Sequence, residues 1–277
     1  YGWPTIGYMP DLTAASYDDV VEFFRNYYGP NNASLVIAGA IDPVRTRSLV
    51  EKWFSDVARG RPVFPMDPPA AYLHGERRLL YEDRVQLPRL YMVWHTPAIF
   101  APGDAELDIL SSVLTGGKNS RLYKRLVYDL QIAQDVTSFQ ASSQLSSAFW
   151  IMATARAGHT LAELEAVIGE ELKRIQREEP AIRELERAVN QYEAGFIRRL
   201  ELVGGFNGKA NQLNSYFFHT GNPDYFQEDL ARYRALDPKD VSAVAVTHLR
   251  DDGRVVLSIV PNGKKDLGAG GTEVKPQ

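Results

Sequence analysis

The chain has 277 residues, 44% of them hydrophobic, which is enough length and apolar content for two domains with packed cores. Its formal net charge of -4 gives no basic excess of the kind that nucleic-acid-binding proteins usually carry. The absence of cysteine excludes disulfides, thiolate zinc sites and cysteine nucleophiles, and no apolar run approaches the ~20 residues of a membrane span.

The sequence pattern of the first 60 residues predicts helices and a single short strand. Ser16 predicts a helix N-cap followed by an apolar stripe. Residues 35–38 are apolar and predict a buried strand, and residues 44–57 predict a further helix. Because one strand between helices cannot form a sheet by itself, we interpret residues 1–60 as the end of a larger domain. The start at Tyr1 favours a processed or truncated product.

The composition of residues 61–70 predicts a stiff linker, since four of these residues are proline. Residues 71–265 then predict a domain in which strands and helices alternate. The predicted strands are 77–83, 89–96, 134–142, 147–155 and 255–260, and the predicted helices are 107–115, 119–129, 160–177, 182–200, 208–218, 224–236 and one that starts at 237. The pattern favours an α+β fold, with an antiparallel sheet packed by helices on one face. Residues 266–277 are rich in glycine and predict a flexible tail.

The segment 107–136 contains the clearest pattern in the chain. Four apolar residues recur at helical spacing and predict one buried helix face: Leu107, Leu110, Val113 and Leu114. Gly116 and Gly117 predict the end of that helix, because glycine tolerates the positive φ of a helix terminus. Asn119 or Ser120 can then cap a second helix.

The run G-G-K-N-S-R-L-Y-K-R-L from Gly116, followed by I-A-Q-D-V from Ile132, resembles the "GG…SRL(F/Y)xxL" segment of the pitrilysin/insulinase-like zinc metallopeptidases. That family includes bacterial zinc proteases, the mitochondrial processing peptidase and core subunits of the respiratory cytochrome bc complex. Residues 23–39, F-F-R-N-Y-Y-G-P-N-N-A-S-L-V-I-A-G, resemble the end of the family's first half-domain. K-A-N-Q-L-N-S-Y (209–216) and G-N-P-D-Y-F (221–226) resemble its late helices.

The resemblance implies tandem half-domains, of which residues 1–60 are the remnant of the first, catalytic-type half and residues 71–265 the second. A weak internal repeat agrees with this interpretation. Asp18 opens a helix that precedes the apolar residues 35–37, and Asp240 lies in a similar helix before the apolar residues 255–257. The two regions are predicted to occupy the same place in two copies of one fold.

The family's catalytic zinc site is implied to be an HxxEH motif on a helix of the first half-domain, with a distant glutamate as third ligand. Histidines at i and i+4 share a helix face and reach one ion, while the glutamate acts as general base. This chain has five histidines, and the closest two, His74 and His95, are 21 positions apart. We therefore predict no catalytic residue and no metal ligand in this chain, and place zinc in the missing catalytic half of the parent protein.

In many members the second half-domain is implied to supply an arginine and a tyrosine that hold the substrate. The corresponding positions here are Val127 and Gln134, and neither side chain can do the same work. Seven residues remain as substrate-binding candidates: Gly116, Gly117, Lys118, Asn119, Arg121, Tyr123 and Gln134. The glycine segment is read either as a helix cap, which we favour, or as a loop that contacts peptide and offers Lys118 to a substrate carboxylate.

The first functional hypothesis is the noncatalytic, substrate-enclosing C-terminal half of a zinc-dependent metalloendopeptidase. Its expected partners are the catalytic half-domain, in the same parent chain or a partner subunit, and an extended peptide substrate; a homo-oligomer stays open. The alternative is a structural or assembly protein of the same fold without protease activity, and a third is an unrelated small-molecule-binding domain with an enclosed apolar pocket. The resemblance gives the bacterial periplasm or the cytoplasm as the compartment.

Overall fold

A computed structural model describes residues 1–66 and 73–275, and these residues form two compact units. Unit 1 contains residues 1–66 and 199–223, and unit 2 contains residues 73–198 and 224–275. The predicted linker therefore lies partly outside the described residues: Pro62 and Pro65 have no regular secondary structure, and Pro68 and Pro69 are not described.

The elements of the described residues are numbered along the chain. The helices are α1 (Met9–Ala14), α2 (Tyr17–Tyr27), α3 (Pro43–Phe54), α4 (Asp104–Thr115), α5 (Arg121–Tyr123, continued by a π-helical turn at Lys124–Asp129), α6 (Leu161–Arg177), α7 (Ile182–Arg199), α8 (Lys209–Thr220), α9 (Phe226–Arg234) and α10 (Pro238–His248). The strands are β1 (Arg77–Asp83), β2 (Arg89–Thr96), β3 (Ala133–Ala141), β4 (Ser147–Ala155), β5 (Arg254–Pro261) and β6 (Thr272–Glu273). None of these helices has the length and apolar content to cross a membrane.

Unit 1 consists of α1, α2, α3 and α8. Ser16 caps α2 as predicted: its Oγ accepts a hydrogen bond from the Asp19 amide at 3.2 Å, and the Asp19 carboxylate accepts one from the Ser16 amide at 2.8 Å. The sequence places residues 199–223 in the second half-domain, whereas the structure groups them with the N-terminal segment. The Ser34 hydroxyl donates to Asn214 Oδ1 at 2.5 Å across this long sequence separation.

The predicted strand at 35–38 is wrong. These residues have no regular secondary structure, and no strand of unit 1 within the described residues lies beside them. Leu35 and Ile37 stay 59% and 43% exposed. Apolar character alone favoured a strand, but a strand needs a hydrogen-bonded neighbour, and this unit supplies none in the part of the chain that the structure describes.

Unit 2 has one six-stranded sheet in the order β3-β4-β2-β5-β1-β6. The α+β class is confirmed. The pairs β3–β4, β4–β2 and β2–β5 are antiparallel as predicted, but β1 runs parallel to both β5 and β6. The parallel pairs join residues 178 positions apart for β1–β5 and 193 positions apart for β1–β6, so no hairpin turn in the sequence could reveal them.

One face of the sheet carries the core of unit 2. Alternate residues of β2, β4 and β5 are buried, and helices α4, α6 and α10 pack against this sheet or against one another. The predicted buried face of α4 is confirmed, because its four apolar residues are fully buried: Leu107, Leu110, Val113 and Leu114. Trp94 of β2 is also buried, and its indole N–H donates to the Arg250 carbonyl oxygen at 2.9 Å.

The segment predicted as a flexible tail adds an edge strand instead. Residues Thr272–Glu273 pair with β1, and the Val274 amide donates to the Leu80 carbonyl oxygen at 2.9 Å. Edge-strand pairing depends on backbone groups rather than on side-chain pattern, which explains why this glycine-rich sequence gave no signal. Residues 276 and 277 lie outside the described part of the chain.

Candidate functional site

The glycine break after α4 is a tight helix terminus. The Gly116 amide donates to the Ser112 carbonyl oxygen at 2.7 Å, and the Gly117 amide donates to the Thr115 carbonyl oxygen at 2.8 Å. A Cβ atom on Gly116 would lie 2.4 Å from the same Ser112 oxygen, so only glycine fits there without a shift of the backbone. Gly117 has φ +92°, a conformation that glycine adopts at low cost.

Ser120 closes the turn from the other side. Its side chain is fully buried, and its hydroxyl donates to the Gly117 carbonyl oxygen at 2.6 Å. Ser120 also occupies the N-cap position of α5, where its carbonyl oxygen accepts the Lys124 amide at 2.9 Å. Lys118 and Asn119 lie between these anchors and are exposed. The turn therefore has fixed ends and presents two polar side chains to solvent.

Arg121 is held by an ion pair with α7. Its Nε and Nη2 donate to the two carboxylate oxygens of Glu184 at 2.9 and 2.7 Å, and only 13% of the Arg121 side chain is exposed. This bidentate pair holds the pKa of Glu184 below its usual value. Through these two hydrogen bonds Arg121 fixes the position of α5 against α7 in this structure.

Tyr123 and Gln134 lie in different surroundings. Tyr123 is half-buried and packs against the core, as does Val127. Gln134 is exposed at a bulge of β3, where the register shifts between Ala133 and Asp135. A bulge redirects a side chain away from the regular ladder, and bulges are common beside functional sites.

The end of α4 is tied to the middle of β3. Thr115 Oγ1 accepts a hydrogen bond from the Ser138 amide at 2.9 Å and lies 2.9 Å from the Ser138 hydroxyl. Ser138 follows Gln134 by four residues on the same strand. The glycine turn and the bulged strand therefore belong to one local framework, although Gln134 makes no hydrogen bond to the turn.

The polar face of α7 was missed by the sequence reasoning. It lines a concave surface of about 620 Å³. The lining residues are Arg183, Glu186, Arg187, Asn190, Gln191, Ala194 and Arg198. The Ser112 hydroxyl donates to Gln191 Oε1 at 3.2 Å, which links this face to the turn of α4 that carries the glycine break. The i, i+4 spacing of Arg183 and Arg187 was the available signal, but it identifies a helix face only once the helix orientation is known.

The described residues do not form a zinc site. Among residues 1–66 and 73–275, no group of three or more histidine, aspartate or glutamate side chains could hold a metal ion. His159 lies 3.4 Å from the Glu163 carboxylate, and burial lowers the pKa of both His219 and His248. These residues do not fit a zinc ion.

Comparison with known proteins gives the family. Residues 14–192, more than half of the chain, match the family described as the peptidase M16 inactive domain. The chain belongs to the peptidase M16 family. Within that family it corresponds to the inactive, C-terminal domain of zinc-protease-like proteins. The expected resemblance to the pitrilysin/insulinase-like metallopeptidases is confirmed.

Two curated relatives are named as zinc proteases. The zinc protease PqqE of Helicobacter pylori is 27% identical over 206 residues, which cover 73% of this chain and 46% of that protein. The uncharacterized zinc protease YmxG of Bacillus subtilis is 23% identical over 262 residues, which cover 95% of this chain and 62% of that protein. This M16 chain thus spans about half to three-fifths of the length of the relatives it matches.

Solved structures agree on the fold. A protease from Helicobacter pylori superposes with a TM-score of 0.80 at 22% identity, covering 92% of this chain and 62% of that one. A chain of the Candida albicans complex III2 structure, with Inz-5 bound, gives a TM-score of 0.76 at 16% identity, covering 96% and 62%. At these identities the likeness establishes the fold alone.

Proposed function

We propose that this M16 chain is the noncatalytic, peptide-enclosing half of a zinc-dependent metalloendopeptidase. The observation that carries the proposal is the match to an inactive peptidase domain, together with relatives that are named zinc proteases and are longer than this chain. The zinc ion and its ligands would lie in the catalytic half-domain, in the same parent chain or in a partner subunit.

The surface of unit 1 supports the proposal that another part of the parent protein packs against it. None of its helices α1, α2 and α3 has a buried residue, and large apolar side chains such as Phe23 and Trp53 are 53% and 69% exposed. A second concave surface of about 500 Å³ is lined mainly by apolar residues around Leu35, Ile37 and Val50. Apolar patches of this kind mark interfaces. We propose that the rest of the first half-domain covers them.

The seven candidate residues take two roles in this proposal. Gly116, Gly117, Lys118 and Asn119 form the turn that contacts an extended peptide, with the Lys118 ammonium available to a substrate carboxylate. Gln134 adds an amide on the bulged strand. Arg121 and Tyr123 hold the helix beside the turn through the Glu184 ion pair and the core contacts.

The test is a comparison of this chain with its full-length parent. Purified chain is expected to contain no stoichiometric zinc and to cleave no peptide. The full-length parent is expected to contain zinc, measured by elemental analysis, and to cleave an extended fluorogenic peptide until a chelator is added. Re-addition of zinc after removal of the chelator is the control that separates loss of metal from loss of folding. Chelator-sensitive cleavage by the pure chain alone would contradict the proposal.

The alternative function is a structural or assembly role without proteolysis. Two observations favour it: the fold likeness to a chain of the Candida albicans complex III2 structure, and the presence of Val127 and Gln134 where many family members are implied to have an arginine and a tyrosine. A folded parent that lacks both zinc and cleavage would support this alternative.

A further inference from the structure

Three arginines on the polar face of α7 lack a carboxylate partner. Arg183, Arg187 and Arg198 make no ion pair with any residue in 1–66 or 73–275. Other arginines of unit 2 are paired, including Arg78, Arg125, Arg232 and Arg254. Arg77, Arg84, Arg156 and Arg177 also make no ion pair in the described residues, but they lie outside this concave surface, where Glu186 is the only acidic lining residue.

Arg187 has an unmet hydrogen-bond donor, as do Arg89 and Arg121. Its Nη2 atom is shielded from solvent and has no hydrogen-bond partner among the described residues. The Glu184 carboxylate, whose pKa the charge of Arg187 helps to lower, already accepts hydrogen bonds from Nε and Nη2 of Arg121. Arg187 as a whole is half-buried and lines the concave surface, so a carboxylate bound there can form charge-assisted hydrogen bonds with its guanidinium group.

The arginine face also lies beside the proposed peptide turn. The Ser112–Gln191 hydrogen bond and the Arg121–Glu184 ion pair tie α7 to the two sides of the glycine break. Between those ties the exposed Lys118 adds another positive charge. The α7 surface carries three arginines and one carboxylate, so its charge is positive in sum, and a peptide that passes from the turn to this surface would meet Lys118 as well.

We propose that the arginine face of α7, made of Arg183, Arg187 and Arg198, binds a carboxylate-bearing segment of the peptide. This inference rests on the proposed function and gives it a substrate class, peptides with acidic residues or a free C-terminus near the bound segment. The face acts as a positioning surface: guanidinium groups pair with carboxylates in a planar, two-bond geometry that selects them over amides.

The experiment measures peptide binding to the full 277-residue chain by fluorescence anisotropy. Three labelled peptides of one length are compared: one with internal glutamates and an amidated C-terminus, its glutamine counterpart with the amide, and the glutamine peptide with a free C-terminus. Comparison of the first and third peptides distinguishes binding of side-chain carboxylates from binding of a terminal carboxylate. We expect the carboxylate peptides to bind roughly tenfold more tightly than the glutamine amide, and less so at higher salt.

The decisive variant is Arg183→Gln/Arg187→Gln/Arg198→Gln. Its control is Arg77→Gln/Arg84→Gln/Arg156→Gln, which removes the same charge from exposed arginines that make no ion pair in the described residues. We expect the α7 variant to lose the preference for carboxylate peptides and the control to keep it. Circular dichroism confirms that both variants fold.

Three results would overturn the inference. If the control variant weakens acidic-peptide binding as much as the α7 variant, the effect is net charge and the arginine face has no special part. If all three peptides bind equally and the α7 variant changes nothing, peptide enclosure stands while the carboxylate preference fails. If no peptide binds at all, the inference fails together with the peptide-binding role of this chain.

Discussion

At the scale of single residues, a cluster of charged side chains between α4 and α9 contains more carboxylates than guanidinium groups. Arg232 pairs with Asp104 and Asp229 at 3.1 Å each, while Asp108 accepts a hydrogen bond from the Tyr233 hydroxyl at 2.8 Å. Three carboxylates thus share one guanidinium. Burial, together with a smaller effect of the neighbouring Asp104 charge, raises the pKa of Asp108 to about 7, so Asp108 keeps its proton at pH values where an ordinary aspartate has lost it.

The raised pKa of Asp108 predicts that the free energy of unfolding depends on pH. Between pH 4 and about 7 the folded protein holds a proton on Asp108 that the unfolded chain has released. The free energy of unfolding therefore decreases as the pH rises through that window. Asp108→Asn keeps an acceptor for Tyr233 and needs no proton. We expect the variant to gain on the order of 2–4 kcal/mol relative to wild type at pH 8 and little at pH 4.

The measurement is urea unfolding of both proteins across that pH range. Asp266→Asn serves as the control, because Asp266 is exposed and makes no hydrogen bond or ion pair in the described residues. A difference between Asp108→Asn and wild type that stays constant from pH 4 to pH 8 would show that Asp108 is not the titrating group.

At the scale of elements, the glycine break between α4 and α5 makes a second prediction. Gly116→Ala places a methyl group 2.4 Å from the Ser112 carbonyl oxygen, so the end of α4 must shift. We expect a loss of roughly 1–3 kcal/mol in the free energy of unfolding. Gly169→Ala is the matched control: Gly169 lies inside α6 with open space around its Cα, and alanine there should stabilise by about 0.5–1 kcal/mol. Urea unfolding measures both, and equal effects of the two substitutions would contradict the role assigned to Gly116.

The same segment shows what the sequence could and could not predict. The period of Leu107 and Leu110 gave the buried face of α4, and the two glycines gave its end, because both signals are local. The ion pair of Arg121 with Glu184 joins residues 63 positions apart, and no local pattern encodes it. The arginine face of α7 escaped notice for the same reason: it exists only once α7 is packed beside the glycine turn.

At the scale of the whole molecule, the class of fold was predictable and the pairing of its outer strands was not. Alternation along β2 and β4 identified a half-buried sheet, since one face of each strand is apolar. The parallel neighbours β1 and β6, and the grouping of residues 199–223 with the N-terminal segment, depend on contacts between distant parts of the chain. The strand predicted at residues 35–38 is absent, because the described residues of unit 1 contain no neighbouring strand with which it could pair.

The unequal burial of the two units makes a prediction for hydrogen exchange. The β2 and β4 amides are paired within a sheet whose inner side chains, such as Met92 and Ile151, are fully buried. Helices α2 and α3 of unit 1 contain no buried residue. Amides exchange from local openings where packing is sparse, so we expect α2 and α3 to exchange at low protection while β2 and β4 exchange only with unfolding of unit 2. Mass spectrometry of peptic fragments reads both regions in one sample. Equal protection of the two regions in the purified chain would mean that a partner, such as a second copy, covers unit 1 in solution. In that case dilution would lower the protection of α2 and α3 relative to that of β2 and β4.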